Sequence, residues 1–411
     1  MRQTVTKRQN LLTAWMLFLS MAALNGAHAA VDKVTSSTLL PINTPSAPIP
    51  PEALLDVGIP PLDDGLALTD EEDTVFPEVR NAETIYLSNQ LAKTMEKSGA
   101  WGAIRVVPST DVVMDVYITG TILQSDGETL DLDIRVFDTS GRVWLKERHV
   151  MVVGKYSYDR RLKTLADPFQ NLFTIIANRV LAAREKMSSE EAVRLRQISE
   201  LRFAREFSPE AFGEYIGEDR SGNLTINRLP AENDAILKRI SMIRERDYLY
   251  VDTMQDYYDA FSREMHLPYQ DFRRASYDSV VKARQLRKRG NRQIIAGIAG
   301  IVGGIYGRLT SGNWMAFDGS SAAAAVGGYA LKQGLQTKQK AAEQTDRVAE
   351  MGASLDAVIE PQVIALEDRS VTLSGTVQAQ YGQWREMLRR IYEQEHTLPG
   401  TAVEQQSGSI N

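Results

Sequence analysis

The 411-residue sequence predicts an α+β protein: a small α/β sheet module, then a mainly helical body with a glycine-rich helical hairpin, then a short C-terminal β-hairpin and helix. Three observations carry that prediction. Apolar residues of period two, broken by tight-turn residues, cluster between residues 104 and 153. Helical stripes flank them at 79–97 and 169–180, and from 188 onward the apolar spacing is almost wholly helical.

The first element is an address. Arg2, Lys7 and Arg8 precede an apolar run over 11–24 that closes on Ala27-His28-Ala29, the pattern of a cleaved secretory signal over 1–29. A permanent anchor needs a longer apolar run of about 20 residues. Residues 30–52 carry Pro41, Pro45, Pro48, Pro50 and Pro51 and read as a linker, and Asp70-Glu71-Glu72-Asp73 forms an acidic run further on. The chain has no cysteine, so neither a disulfide framework nor a lipid-bearing cysteine is available to it. A net charge of −6, together with export, argues against a nucleic-acid partner.

The α/β module is expected over 53–186. Residues 53–59 have strand character. Leu87, Leu91 and Met95 recur every fourth residue in a helix over 79–97 that stops at Gly99. A short strand at 104–107 ends at Pro108. Strands at 112–123 and 130–137 are joined by Ser125-Asp126-Gly127-Glu128, a tight hairpin turn. Leu130, Leu132, Ile134 and Val136 alternate with Asp131, Asp133 and Arg135, which gives one buried and one wet face. After a turn at 139–141 comes a strand over 143–153. Asp167 then caps a helix beginning at Pro168, with Phe169, Leu172, Phe173, Ile176 and Val180 on one stripe. This order of elements and its Asp-Gly hairpin resemble the small α/β module in the N-terminal part of the Tol-Pal protein TolB and in the curli secretion protein CsgG. The resemblance covers about a third of the chain and implies a bacterial envelope setting.

Residues 187–290 read as helical. Ser188 with Glu191 makes a capping box, and Ser208-Pro209-Glu210 starts another helix. A long amphipathic stretch over 233–265, with Ile236, Ile240, Ile243, Leu249 and Met254, is divided by Pro268 from a final basic helix. A helical hairpin or coiled coil beside the sheet module is expected.

The glycine-rich hairpin is placed over 291–335. Gly297, Gly300, Gly303, Gly304 and Gly307 make a small-residue stripe, and Gly327 and Gly328 lie in a second run after an intervening stretch with Trp314 and Phe317. Glycines four apart let helix backbones approach closely, in lipid or between subunits. Arg287, Lys288, Arg289 and Arg292 before the pair, and Lys332 after it, would lie on one side, suited to anionic phospholipid headgroups. The pair resembles the glycine-zipper hairpins of small outer-membrane lipoproteins, from which it departs in lacking their lipid-bearing cysteine. Each run spans only about 20 Å as a helix, against a hydrocarbon core of about 30 Å. Packing inside a homo-oligomer or an ordinary core helix are therefore the competing readings.

Residues 336–396 complete the ordered chain as a polar helix to 358, two short strands at 363–366 and 371–374, and a helix over 376–392 with Trp384, Leu388 and Ile391; 397–411 is a tail. The string from Val371 through Leu373 and Gly375 to Val377 is similar to the core of BON domains, which are associated with phospholipid surfaces. A plain hairpin capping the helices is the competing reading.

No arrangement for catalysis stands out. His149, His266 and His396 are too far apart in sequence to share a helical metal site, and no nucleophile elbow or phosphate loop is present. One cluster invites a test, Glu245, Asp247, Asp252 and Asp256 among Tyr248, Tyr250, Tyr257 and Tyr258, where a glycan-cleaving carboxylate pair would have room. The expectation is a non-enzymatic envelope scaffold with no cofactor, whose partners are envelope proteins, membrane phospholipid and copies of itself. A soluble periplasmic homo-oligomeric adaptor and a cell-wall hydrolase are the alternatives.

Overall fold

The period-two segments pair into one mixed sheet in a computed structural model, which describes residues 32–34, 38–69, 75–158, 166–231, 233–288, 359–366 and 369–397. The strands are β1 (Asp32–Val34), β2 (Val57–Ile59), β3 (Ile104–Val106), β4 (Val116–Ser125), β5 (Thr129–Asp138) and β6 (Val143–Val153), in the spatial order β1-β6-β5-β4-β2-β3. β4, β5 and β6 form an antiparallel meander; β2 and β3 join in parallel beside β4, and β1 joins in parallel beside β6. The fold is α+β, as the pattern predicts. The β4–β5 turn forms because the Asp126 carboxylate accepts from the backbone N–H groups of Glu128 and Thr129, at 2.9 and 2.7 Å, while Gly127 takes φ +80°.

Helices α1 (Pro77–Glu96) and α2 (Gln170–Arg184) pack against each other, with α2 also on β6. Leu130, Leu132, Ile134 and Val136 of β5 share one core with Leu172, Phe173, Ile176 and Val180 of α2. The predicted stripe of α1 is buried, but so are Arg80, Glu83, Ser88 and Asn89 on its other sides. Residues 112–114, expected to open β4, are irregular and precede it: Val112 O accepts from the Tyr117 hydroxyl, which itself accepts from Met114 N. α2 begins two residues later than expected, at Gln170, with Asp167 Oδ1 accepting from Phe169 N at 2.8 Å just ahead of it.

Residues 38–51, expected to be a linker, are laid as a strap along the side of α2 that faces away from the sheet. Its backbone is bonded to Asn171, Asn178 and Glu185. Composition predicted a segment unable to bury apolar surface; side-chain amides satisfy its backbone without requiring that it do so.

The helical body starts with α3 (Ser189–Phe207), whose capping box between Ser188 and Glu191 is formed, continues through the single turn α4 (Pro209–Phe212) and the hairpin of β7 (Ile216–Glu218) and β8 (Leu224–Ile226), and reaches α5 (Ala235–Lys288). α5 has 54 residues, about 80 Å at helical rise. Pro268 lies inside it rather than dividing it. An interior proline costs about 3 kcal/mol, and here the neighbouring Met265, Tyr269 and Phe272 are all buried against the module, which offsets that cost. β9 (Ile359–Leu366) pairs antiparallel with β10 (Arg369–Gly375), and α6 (Val377–Thr397) packs on α5.

Candidate functional site

The long helix is the element that leads into the glycine-rich segment, so the residues that clamp it are the first candidates for function. Asp167, placed by the turn ahead of α2, is buried with carboxylate oxygens facing α5. Arg273 Nη1 donates to both oxygens at 3.0 Å, Gln270 Nε2 donates at 2.8 Å and the Tyr86 hydroxyl at 3.0 Å. The Arg273 guanidinium, 1% exposed, lies 4.0 Å from the Tyr269 ring centroid and 4.8 Å from that of Phe169. The buried guanidinium and carboxylate neutralise each other, although Arg273 Nε and Nη2 have no hydrogen-bond partner among the described residues and lie among aromatic rings. Tyr86 has one proton and gives it to Asp167, so its contact with His266 Nδ1 at 2.9 Å assigns the donor there to the imidazole.

A second arm of the seam runs through Glu83. Its Oε1 accepts from Tyr269 at 2.5 Å and Ser125 at 2.7 Å, and its Oε2 pairs with Arg80 Nε at 3.0 Å. Arg80 also donates to the carbonyls of Asp64 and Ile122. Burial pushes the hydroxyls of Tyr86 and Tyr269 well above their ordinary range, so both stay protonated donors. The hairpin turn closes the seam: a Cβ at Gly127 would stand 2.3 Å from the carbonyl oxygen of Arg273, so only glycine lets the β4–β5 turn meet the α5 backbone.

α5 is gripped again nearer its start. Buried Asp247 accepts from Arg385 Nη1 and the Tyr381 hydroxyl, each at 3.3 Å, and Arg385 also pairs with Glu206 of α3. The Tyr250 ring stacks on Trp384 with centroids 4.9 Å apart. Burial raises the pKa of Asp247, against the opposing pull of Arg385. Thus the elements before and after residues 289–358 are both fastened to one body.

Between α3, α5 and the start of β2 lies a cleft of about 430 Å³ lined by Glu52, Asp56, Asp115, Arg196, Glu200, Arg244, Glu245 and Tyr248, among others. Asp115 at its wall is buried, accepts from Ser199 Oγ at 2.5 Å and Asp56 N at 2.9 Å, and has its pKa raised by that burial. The acidic, tyrosine-rich stretch is dispersed around the helix. Glu245 lines this cleft, Asp247 faces α6, Asp252 pairs with Arg105 of β3 at 2.6 Å, and Asp256 is exposed. Tyr248 donates to Val113 O and receives from Arg244.

Of the residues singled out by sequence for membrane or oligomer contact, Arg287 and Lys288 are the last two of α5. Gly297, Gly300, Gly303, Gly304, Gly307, Gly327, Gly328, Arg289, Arg292 and Lys332 lie outside the described residues. Among the described residues no helix is long and apolar enough to cross a membrane, and no three His, Asp or Glu side chains are grouped to hold a metal ion. His149 is buried on β6, and His266 belongs to the seam. Sequence reasoning missed Arg273, Arg385, Glu83 and the asparagines of α2; a buried-side arginine within an otherwise apolar helical stripe was the one signal available for the first. No protein family, no curated protein and no solved structure matches the chain.

Proposed function

We propose that this chain is a non-enzymatic scaffold or assembly protein of a bacterial cell envelope, exported by residues 1–29 and held at a membrane or in an oligomer by the glycine-rich segment 291–335. The observation that supports it most is the double fastening of α5. A helix of about 80 Å, clamped to the sheet module through Arg273–Asp167 and to α6 through Asp247–Arg385, transmits whatever happens at 291–335 to the whole body. The element order that resembles TolB and CsgG agrees with an envelope setting. The basic residues Arg287 and Lys288 stand where α5 runs into the segment, as headgroup contacts require.

Fractionation tests this reading. Membranes from cells making the full chain retain it through carbonate washing when the segment inserts, and high salt releases it when the basic flanks alone bind. Deleting 294–331 abolishes retention, or reduces the assembled size on a sizing column if the segment packs between subunits. A protein that stays in the soluble fraction and keeps its size after the deletion overturns the proposal.

A further inference from the structure

The side of α2 facing away from the sheet carries a ruler. Asn171, Asn178 and Glu185 are seven residues apart, which places them almost in line along a helix at a repeat of about 10.5 Å. They accept from backbone N–H groups that are three residues apart on the strap: Leu40 N to Asn171 Oδ1 at 2.8 Å, Asn43 N to Asn178 Oδ1 at 2.8 Å, and Ser46 N to Glu185 Oε1 at 2.7 Å. Three extended residues span about 10 Å. The two asparagines also donate, Asn171 to Thr38 O at 3.0 Å and Asn178 to Pro41 O at 3.1 Å, so each amide brackets a backbone unit as a neighbouring strand would. The prolines fit the same register. Pro41, Pro45 and Pro48 fall at positions whose N–H the ruler does not use.

This recognition reads backbone. The strap side chains are mostly open, Leu39 at 47% and Leu40 at 45% exposure, while Ile42 and Ile49 lie partly buried against the core. We propose that this face of α2 is a binding site for extended, proline-spaced polypeptide, and that copies of the protein are joined when the strap of one fills the α2 site of another. A second copy is the occupant the geometry favours, because its residues 38–46 carry the matching register by construction. β1, ahead of the strap in sequence, pairs in parallel with β6. Prolines restrict the joint to the body: Pro50 takes the extended polyproline conformation before Pro51 opens a 3-10 turn, so a released strap keeps part of its extended form when it re-forms the same bonds in another chain. The proposal stands on 38–46 and α2 alone, and it holds or fails separately from any role of 291–335.

Because the chain has no cysteine, cross-linking tests this cleanly. Full-length protein with Thr44→Cys, on the strap, is mixed with a differently tagged Ala182→Cys chain, which bears its thiol on the same face of α2, and treated with a short bismaleimide. The expected result is a covalent heterodimer several-fold above a control pairing Thr44→Cys with Leu249→Cys on α5, rising with concentration. Adding Ser46→Pro to the Thr44→Cys chain removes one strap donor at an exposed position without touching the folded body, and should lower that yield. Heterodimer no more abundant than in the control, with the double variant Thr44→Cys/Ala182→Cys bridged only within its own chain, overturns the proposal. So does a yield unchanged by Ser46→Pro.

Discussion

The seam under α5 and the strap over α2 both join parts of the chain more than a hundred residues apart, and they do so by opposite means. At the seam, Arg273 and Asp167 are each 1% exposed and their charges have only each other and a few neutral donors. At the strap, neutral amides and one carboxylate meet backbone that stays largely in contact with water. The difference teaches what each contact is for. Removing half of a buried ion pair strands a charge, so the seam behaves as a permanent clamp. Removing a partially exposed hydrogen bond lets water take over, so the strap behaves as an exchangeable contact.

The largest expected effect breaks the clamp. Arg273→Met leaves the Asp167 carboxylate buried without its counter-ion and should cost about 3–5 kcal/mol in urea unfolding. A loss below about 1 kcal/mol would mean that the pair is better hydrated than its burial indicates, and the contrast with the strap would vanish. Next is Gly127→Ala, where a positive φ combines with a Cβ placed 2.3 Å from Arg273 O. The expected cost is about 2–4 kcal/mol, from backbone strain and overpacking together; an unchanged melting temperature would show that the turn can back away from α5.

The strap responds more weakly. Asn178→Ala removes one acceptor and one donor at a half-buried position, worth about 0.5–1.5 kcal/mol. Its clearer readout is faster proteolytic cutting within 38–51 while the rest of the fold stays resistant. The smallest effect is a slope with pH. Burial lowers the pKa of His149, with Glu147 pulling the other way. The unfolded chain therefore binds this proton more readily than the folded one, and the stability His149 contributes is complete above about pH 6.5 and lost as pH falls through its lowered folded value. His149→Leu should flatten the melting temperature against pH in that window, and an identical slope in both proteins would place the titration elsewhere.

Much of the fold was legible because it is local. The Asp126-Gly127 turn and the Ser188–Glu191 box are specified within a few residues and form as expected, and so does the apolar face of β5; its other face is wet only in part, because Asp131 is buried against Arg148 of β6. Asp167 was half legible. Its capping role follows from the Pro168 beside it, whereas its pairing with Arg273 depends on a helix that arrives 106 residues later. Pro268 was misleading for the same reason: a local rule ends the helix there, and packing on both sides of the proline carries it through. The polar residues of α1 carried no sequence signal of burial: Glu83 and Asn89 are covered by Tyr269 and Asp259 of α5, and Arg80 by backbone carbonyls of Asp64 and Ile122.

By itself, then, the amino-acid order determined which segments become strands and helices and which of their faces are apolar, since backbone propensity, turn chemistry and side-chain period act over a turn or two. Tertiary structure alone decided which polar residues are locked inside and which hold the strap. A charge or an amide acquires its role from the group that packs against it, and that neighbour is set by distant chain brought close, not by adjacent residues.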